Sequence, residues 1–569
     1  MDENKRLLLA LAIACAIFFA WQGLASYMGW LNPPEPEKTV RQTLEDAAPA
    51  SLPPAPSAPD AVLDGDPSVR LEAPAPPAAA VEAGRRVTVD TPLYTAVFLS
   101  NGGLLQSFVL KGYRENLDPD SPEVNLISRS AAATAPLGVL IDGLPSWSRA
   151  VWTLEGDNLF LKPGQMGALT FSGVMDGLRV ERRLEFFANG YLIGEKLRLS
   201  SPEARKVKLA FTFGASTLPS EETTSIFSDI RYVLFGGEKP LPEPSLYNPT
   251  KVAWLENGSF DDELAGDTLN KGMLIQGNVS WMGVTNNYFL GAISMGGSAA
   301  SAKGSMREDV FHVLMGKTGV EIPAEQTMQE ECAYFLGPKE TRQLDGAPNN
   351  LGAALDYGFF SIIARPLVTL LQFFYSYAHN YGLAIIMLTI LVKLVFWPLS
   401  QKSYKSMQQM KKLQPMMAKI REEYGSDKEA MNKEIMQLYK TYKVNPASGC
   451  LPILVQIPVF FGLYQALLNA IELRQAAFIA HLPFTDTLWL ADLSVRDPLF
   501  ITPLVMGSTM FLQQKLTPAS GDPTQAKMML FMPPIFTLLC FNFPAGLVLY
   551  WLVNNVISIF QQWWQLRQV

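Results

Sequence analysis

The chain has 569 residues, 48% of them hydrophobic, and a mean hydropathy of +0.11, which is too apolar for an ordinary soluble protein of this size. The formal net charge of −7 identifies no partner, because it sums segments that we predict on opposite sides of a membrane. Four scattered cysteines and three widely separated histidines argue against a disulfide framework, a zinc site and a histidine-based catalytic triad.

The first predicted element is a transmembrane anchor within residues 1–30. Residues 7–28 carry no charge and match the ~20 residues that cross a bilayer. A secretory signal has a shorter apolar core of about 7–15 residues and a small-residue cleavage site. The sequence GLAS is a weak candidate for such a site, so we favour an uncleaved anchor, and whether it is ever cleaved stays open. Lys5 and Arg6 place the N-terminus in the cytoplasm.

A linker and a large β-domain follow on the periplasmic side. Residues 31–84 are rich in proline, alanine and glutamate and cannot bury enough apolar surface to fold. Residues 85–345 contain β-branched and aromatic segments. In 178–186 apolar and charged residues alternate, and Asn189-Gly190 then predicts a hairpin turn. We predict a mostly antiparallel β-sandwich without a recognisable catalytic motif. The sequence leaves open whether this domain contains a sugar- or peptide-binding cleft.

Residues 346–569 are predicted to form a membrane-embedded helical core. Residues 359–377 are apolar and aromatic but contain Arg365-Pro366, which favours a helix lying in the membrane interface. Together with the anchor, the following segments predict a protein that crosses the membrane six times. These five spans lie at about 380–400, 451–471, 499–515, 528–543 and 545–564.

The charges of the loops give the orientation of these spans. Residues 401–450 hold ten Lys/Arg against five Asp/Glu, whereas 472–498 hold only two basic residues. The positive-inside rule therefore places 401–450 and 516–527 in the cytoplasm and 472–498 outside. Six alternating spans from a cytoplasmic N-terminus give the same result. We predict an inner-membrane protein with both termini in the cytoplasm and residues 31–350 in the periplasm.

Residues 401–446 are predicted to form an antiparallel helical hairpin in the cytoplasm. Apolar residues recur at helical spacing in both halves, with Gly425-Ser426 as the turn and Asn445-Pro446 as the end. The surface is basic and rich in methionine. The methionines either pack the two helices together or offer an adaptable contact surface, because methionine fits varied apolar partners.

Lys393 is a charged residue within the predicted span 380–400. A charge at the bilayer centre costs at least about 2.5 kcal/mol, so the side chain either extends to the lipid headgroups or faces a wet interior. Amides in other spans (Gln456, Asn542 and Asn554) favour the interior, because an amide facing lipid finds no partner. The five core spans contain no carboxylate, which argues against a proton relay.

Several extended segments of the core identify a family. They include NYGLAIIMLTILVKLVFWPLSQKSYKSMQQMKKLQP, YKVNPASGCLPILVQIPVFFGLYQAL and FPAGLVLYWLVNNVISIFQQ. These segments closely resemble the YidC family of membrane protein insertases, and the resemblance covers residues 350–569. The anchor and the β-domain resemble, more loosely, those of the long Gram-negative members of the family. In those members the periplasmic domain is a β-supersandwich.

The resemblance implies a hydrophilic groove that is open to the cytoplasm and to lipid and closed towards the periplasm. Lys393 occupies the position of a basic residue of that groove, and Thr389, Phe460 and Trp551 match positions that contact substrate. Some members have two tyrosines where this chain has Tyr550-Trp551, which puts a hydrogen-bonding role of residue 551 in doubt. The complete set of predicted groove residues is Thr389, Lys393, Gln456, Phe460, Asn542, Tyr550, Trp551 and Asn554.

The implied function is to insert inner-membrane proteins and help them fold, alone or with the Sec translocon. The implied partners are nascent membrane proteins, the lipid bilayer, and ribosomes and targeting factors that contact the hairpin. No cofactor, nucleotide hydrolysis, enzymatic activity or direct recognition of a nucleic-acid sequence is expected. The residues leave two alternatives: a transporter of small solutes or ions that uses the same polar pocket, and a structural or sensor protein whose periplasmic domain binds the ligand.

Overall fold

The computed structural model describes residues 84–567 except 119, 135–136, 220–221, 224–242, 245–247, 425–426, 443, 445–450 and 517–522. The predicted N-terminal anchor, nearly all of the predicted linker and the predicted hairpin turn at Gly425-Ser426 lie outside the described residues. The chain forms two compact units, a β-rich one that ends at Asp356 and a helical one that begins at Tyr357.

The β-rich unit consists of twenty described strands and a few short helices. The short helices are Arg129–Ala133, Ser146–Arg149, Asp267–Lys271 and Thr341–Leu344. The strands are β1 Arg86–Asp90, β2 Tyr94–Leu99, β3 Leu104–Arg114, β4 Glu123–Asn125, β5 Leu137–Ile141, β6 Leu144–Pro145, β7 Val151–Glu155, β8 Leu159–Phe160, β9 Met166–Met175, β10 Leu178–Phe187, β11 Leu192–Ser200, β12 Arg205–Ser216, β13 Glu222–Thr223, β14 Glu243–Pro244, β15 Lys251–Glu256, β16 Ser259–Leu264, β17 Met273–Thr285, β18 Phe289–Arg307, β19 Val310–Ile322 and β20 Thr327–Pro338.

Two sheets form the body of this unit. The larger sheet has 13 described strands, with the order β6-β5-β12-β19-β18-β20-β11-β10-β9-β7 and with β15–β17 attached to β18. The smaller sheet has the order β4-β3-β2-β1-β8. Aromatic rings join the two sheets, for example Phe98 of β2 and Phe186 of β10 at 5.4 Å between centroids. The predicted mostly antiparallel β-sandwich is confirmed, and the parallel contact of β1 with β8 departs from that pattern.

Strands β10 and β11 show the predicted alternation of buried and exposed side chains, and one charged residue of β10 is buried together with the apolar ones. The apolar positions of 178–186 are buried, and Arg182 is buried among them with no exposed surface. Its guanidinium donates to both carboxylate oxygens of Glu195 on β11, at 2.6 and 2.9 Å, and also to the carbonyl oxygen of Gly102. A buried guanidinium needs this complete pairing, because an unpaired charge in an apolar core is costly.

The helical unit contains seven long helices among its described residues. The first of the predicted core spans and the first half of the predicted hairpin form one continuous helix, which includes Pro398 and Pro415. The helices are α1 Ser361–Ala378, α2 Tyr381–Glu423, α3 Lys428–Thr441, α4 Leu451–Leu468, α5 Ile501–Leu516, α6 Pro523–Cys540 and α7 Ala545–Arg567.

Two described helices are long and apolar enough to cross a membrane by length and composition, Gly358–Ala378 and Tyr381–Glu423. Shorter apolar helices cover Val455–Leu468 and Met529–Cys540. The first of these four segments is the one that we predict in the membrane interface. Its location in a bilayer and the arrangement of six spans therefore stay predictions.

The segment between α4 and α5 covers the N-terminal ends of α2 and α7. It contains a short hairpin of β21 (Ile479–His481) and β22 (Leu488–Leu490). The backbone N–H groups of Ala545 and Gly546, at the start of α7, donate to the carbonyl oxygens of Val495 and Leu493 at 2.7 and 2.9 Å. Gly382, near the start of α2, leaves room for the ring of Phe478. Backbone bonds and a close glycine contact thus hold this segment on the helix ends.

Candidate functional site

Lys393 lies in the interior of the helical unit, on α2. The residue is 6% exposed, and its Nζ donates a hydrogen bond of 2.7 Å to Oγ of Ser558 on α7. The Ser558 hydroxyl in turn donates to the backbone carbonyl oxygen of Asn554, at 2.8 Å. Of the two orientations that the sequence leaves open, the structure therefore has the inward one.

Thr389 lies one helical turn before Lys393 on α2. It has no exposed surface, and its hydroxyl donates to the carbonyl oxygen of Ile385 at 2.7 Å. Residues four apart share a face of a helix, so the threonine and the lysine lie on one buried face of α2. The face is polar, although the surrounding helix is apolar.

Aromatic side chains from three helices of this unit meet one another. The ring of Trp551 on α7 lies 4.8 Å from the ring of Phe460 on α4 and 4.6 Å from that of Phe536 on α6, measured between centroids. Tyr550 points elsewhere, because successive residues of a helix are about 100° apart. It is buried in the apolar cluster that includes Leu388 of α2. The pair Tyr550-Trp551 thus contributes one ring to the aromatic group and one to the core.

The structure does not bring Asn542 to Lys393. Asn542 is exposed in the turn between α6 and α7. Ser558, the partner of Lys393, lies thirteen residues after the start of α7, about 20 Å along the axis at ~1.5 Å per residue. Asn542 lies beyond that end. Gln456 of α4 is half-buried, as is Asn554 of α7.

Polar residues that the sequence analysis did not select continue from Lys393 towards the C-terminal end of α7. Nε2 of Gln562 donates to the hydroxyl of Tyr404 on α2 at 3.3 Å, and the neighbouring polar residues are buried. The three- and four-residue spacing of Ser558, Gln562 and Gln565 was the signal that could have identified them. We call the following set the polar seam: Ser400, Ser403 and Tyr404 of α2 with Gln561, Gln562 and Gln565 of α7.

This arrangement suits binding rather than bond-making chemistry. It offers one ammonium group on a neutral hydroxyl, several amides and a group of aromatic rings. The described residues contain no group of three or more His, Cys, Asp or Glu side chains that could hold a metal ion. An ammonium that is not neutralised by a carboxylate can attract an acidic segment, and hydroxyls and amides can bind a polar one.

The fold and the site define a membrane protein with a β-sandwich domain and a polar site inside its helical unit. Residues 373–569 match the family model described as 60Kd inner membrane protein, and residues 86–370 match the model described as YidC periplasmic domain. The chain belongs to the YidC family of membrane protein insertases, an inner-membrane family with a periplasmic domain. The resemblance found in the sequence is confirmed.

The relatives of this chain match it from end to end. The membrane protein insertase YidC of Nitratidesulfovibrio vulgaris (strain DP4) is 52% identical over 569 residues, 100% of each chain. That of Oleidesulfovibrio alaskensis is 48% identical over 568 residues, again 100% of each chain. A crystal structure of an active YidC insertase with its first transmembrane domain resolved is 16% identical and has a TM-score of 0.34. The alignment with that structure covers 87% of this chain and 97% of the other.

Proposed function

We propose that this protein inserts nascent membrane proteins into the inner membrane and helps them fold. The observation that carries the proposal is the inward orientation of Lys393, whose ammonium donates to Ser558 inside the helical unit. Membership of a family whose relatives are named insertases supports the same function. No feature of the described residues favours the transport of small solutes or ions.

The proposed mechanism lowers the cost of moving a polar tail across hydrocarbon. An unpaired amide or charge transferred from water into an apolar medium costs several kcal/mol. Polar groups on α2 and α7 replace part of the lost hydration, and Lys393 attracts acidic tails. The apolar span of the client then moves sideways into lipid. The transmembrane potential acts on charged tails by about 2.3 kcal/mol per charge and 100 mV, so no nucleotide hydrolysis is required.

Within the proposed groove, different residues have different roles. We infer that Lys393 and Thr389 contact the polar tail, because they share a buried polar face. Phe460 and Trp551 form an aromatic wall that suits the apolar span of a client. The larger set of proposed groove residues also includes Gln456 and Asn554. Tyr550 is proposed to support the core. Asn542 is left out because it is exposed in the turn before α7, away from Lys393.

The wider arrangement belongs to the same proposal. We propose six spans, cytoplasmic termini and a groove that opens to the cytoplasm. The part of α2 that follows residue 400 forms the proposed cytoplasmic hairpin with α3. The hairpin presents exposed Met416, Met436 and Tyr442. Such a surface suits ribosomes and targeting factors, since methionine adapts to different apolar partners. We further propose that the protein acts alone or with the Sec translocon.

Reconstitution tests the function directly. Purified protein in liposomes is given a single-span client with a short polar tail, without ATP, and protease protection of the tail is measured. We expect protection well above that in empty liposomes. In parallel, a photo-crosslinking residue at position 389 or 551 should capture a stalled client. Protection no higher than in empty liposomes would refute the proposed function.

A further inference from the structure

The segment between α4 and α5 contains a turn with an unfavourable residue at its tip. The chain reverses between β21 and β22, where the backbone N–H of Thr485 donates to the carbonyl oxygen of Leu482 at 3.0 Å. Pro483 and Phe484 are the central residues of this four-residue turn, and Phe484 has a φ of +67°. A positive φ at the second central position is typical of a type II turn, and glycine or asparagine adopts it readily. A phenylalanine there strains the backbone.

Packing inside the protein does not explain this phenylalanine either. Phe484 is fully exposed, and Leu488 on the other side of the turn is 46% exposed, whereas Leu490 at the base of the hairpin is buried. The ring therefore gains nothing from the described residues that would offset the strain of its backbone. A single exposed apolar residue is normal. An exposed aromatic residue held in an unfavourable conformation instead indicates contact with something outside the described chain.

The base of the hairpin is bonded to the helical unit. Phe478 precedes β21, and its backbone N–H donates to the carbonyl oxygen of Leu490 at 2.8 Å. The carbonyl oxygen of Phe478 accepts from Nδ2 of Asn380, the residue before α2, at 3.1 Å. Trp489 of β22 packs against the apolar cluster of the helical unit, and its Nε1 donates to Oδ2 of Asp497 at 3.2 Å. The tip thus projects from a base that is held in place.

The position and size of the tip select the lipid bilayer as its partner. The hairpin lies between α4 and α5, which we propose as membrane spans, and it is joined to them by the short segments 469–478 and 491–500. A stable protein–protein contact buries about 800 Å² on each partner, whereas one phenylalanine brings only about 150–250 Å². A tip of this size is too small for a protein interface of its own. It suits the boundary between lipid headgroups and acyl chains.

We propose that the β21–β22 hairpin inserts the ring of Phe484 into the periplasmic leaflet and so holds the segment between α4 and α5 on the N-terminal ends of α2 and α7. The inference goes beyond the proposed function. It rests on the proposed placement of residues 472–498 outside the cytoplasm and not on insertase activity. Insertion is shallow, because Asp486 is exposed two residues further on and a charge is costly in hydrocarbon. The exposed Thr485 and Thr487 remain among the headgroups.

Fluorescence quenching measures the surroundings of position 484 directly. A fluorescent amino acid is placed at position 484 of the full-length protein, or at position 160 as a control, since Phe160 of β8 is 71% exposed. In lipid nanodiscs, a nitroxide on the upper part of the lipid acyl chain should quench the fluorophore at 484. Iodide in the water should quench it less at 484 than at 160. Equal quenching by iodide at both positions would overturn the proposal. Shielding of 484 from both quenchers would also overturn it, because protein and not lipid would then cover the tip.

Hydrogen exchange tests whether this lipid contact holds the segment in place. The N–H groups of Ala545 and Gly546 donate to the segment, so their exchange reports how often it lifts from α7. In nanodiscs, Phe484→Asn should make these amides exchange about three- to tenfold faster, because part of the free energy of burying a phenylalanine ring is lost. Phe484→Trp should retain the protection, since tryptophan suits the membrane interface.

The expected sign of the exchange result separates lipid anchoring from a local effect on the turn. Asparagine adopts a positive φ more readily than phenylalanine, so relief of strain alone would slow the exchange. Exchange that is unchanged or slower in Phe484→Asn would therefore overturn the holding role, as would equally fast exchange in the Asn and Trp variants. Client insertion is measured separately with the unsubstituted protein. If that protein contacts lipid at 484 but inserts no client, the proposed function fails and this inference stands.

Discussion

Replacing Lys393 tests whether its charge or its shape assists insertion. Lys393→Ala removes the ammonium, while the Ser558 hydroxyl keeps its bond to the Asn554 carbonyl oxygen at 2.8 Å. The variant therefore leaves no new buried donor without an acceptor, and we expect the folded protein to tolerate it. What is lost is the attraction for an acidic tail that passes beside Ser558.

The size of the loss follows from Coulomb's law. At an assumed separation of about 6 Å between the ammonium and a carboxylate, the attraction is about 2.8 kcal/mol at an effective dielectric constant of ~20 and about 0.7 kcal/mol in water. Because ~1.4 kcal/mol corresponds to a tenfold change, Lys393→Ala should slow insertion of acidic-tailed clients by between about three- and one hundredfold. Insertion of the same client with asparagine and glutamine in place of its acids should change little.

The assay is protease protection in proteoliposomes with the two matched clients. Lys393→Arg should retain insertion, because it keeps the charge, and Lys402→Ala is the control, since Lys402 is an exposed cation of the same helix. If water and salt reach the site, the difference in insertion between Lys393→Ala and the unsubstituted protein should become smaller at high salt. Equal defects in the Ala and Arg variants, or equal defects for both clients, would refute the electrostatic reasoning.

Three further predictions concern stability of the full-length protein in detergent. Arg182→Met should lower the free energy of unfolding by about 3–5 kcal/mol, and adding Glu195→Leu should restore most of it, because the lone carboxylate is what costs; a denaturant titration would measure both. Burial, assisted by the Lys251 cation, lowers the pKa of Lys339 to about 7. Because the unfolded chain still binds this proton up to pH 9, the free energy of unfolding should rise by about 2 kcal/mol from pH 7 to pH 9. If Lys339→Met does not flatten the dependence of the free energy of unfolding on pH, this explanation is wrong. Gly382→Ala should lower the melting temperature because its Cβ would overlap the Phe478 ring, and Phe478→Ala should relieve the defect.

The β-sandwich was predictable from the sequence because alternation reports which face of a strand is buried. The buried ion pair was not predictable in the same way. Arg182 lies opposite Leu197, and Leu184 lies opposite Glu195, so the two charges are diagonal neighbours on one face of β10 and β11. The buried face of each strand alone shows one charge among apolar residues. Only the register between the strands shows that the two charges meet.

Hydropathy predicted the apolar span at 380–400, but not that its helix continues without a break into the first half of the hairpin. The predicted span 380–400 ends where charged residues begin, whereas α2 continues to Glu423. Hydropathy reports the surroundings of a helix, and backbone hydrogen bonding decides its length. For Asn542 a local signal was available: a residue before proline is biased away from the helix, and Phe543 precedes Pro544. The turn between α6 and α7 falls there, and it carries Asn542 away from the candidate site.

Arg182 and Lys393, two of the buried cations among the described residues, have partners of different charge, and that difference supports the proposed function. Arg182 donates to both oxygens of Glu195, so its charge is neutralised in place and holds two strands together. Lys393 donates to the neutral hydroxyl of Ser558, and the predicted core spans contain no carboxylate. A carboxylate beside Lys393 would compete with every acidic tail that reached it. A hydroxyl satisfies one of the three donors and leaves the charge uncompensated, which is the condition for weak, reversible binding of a passing chain.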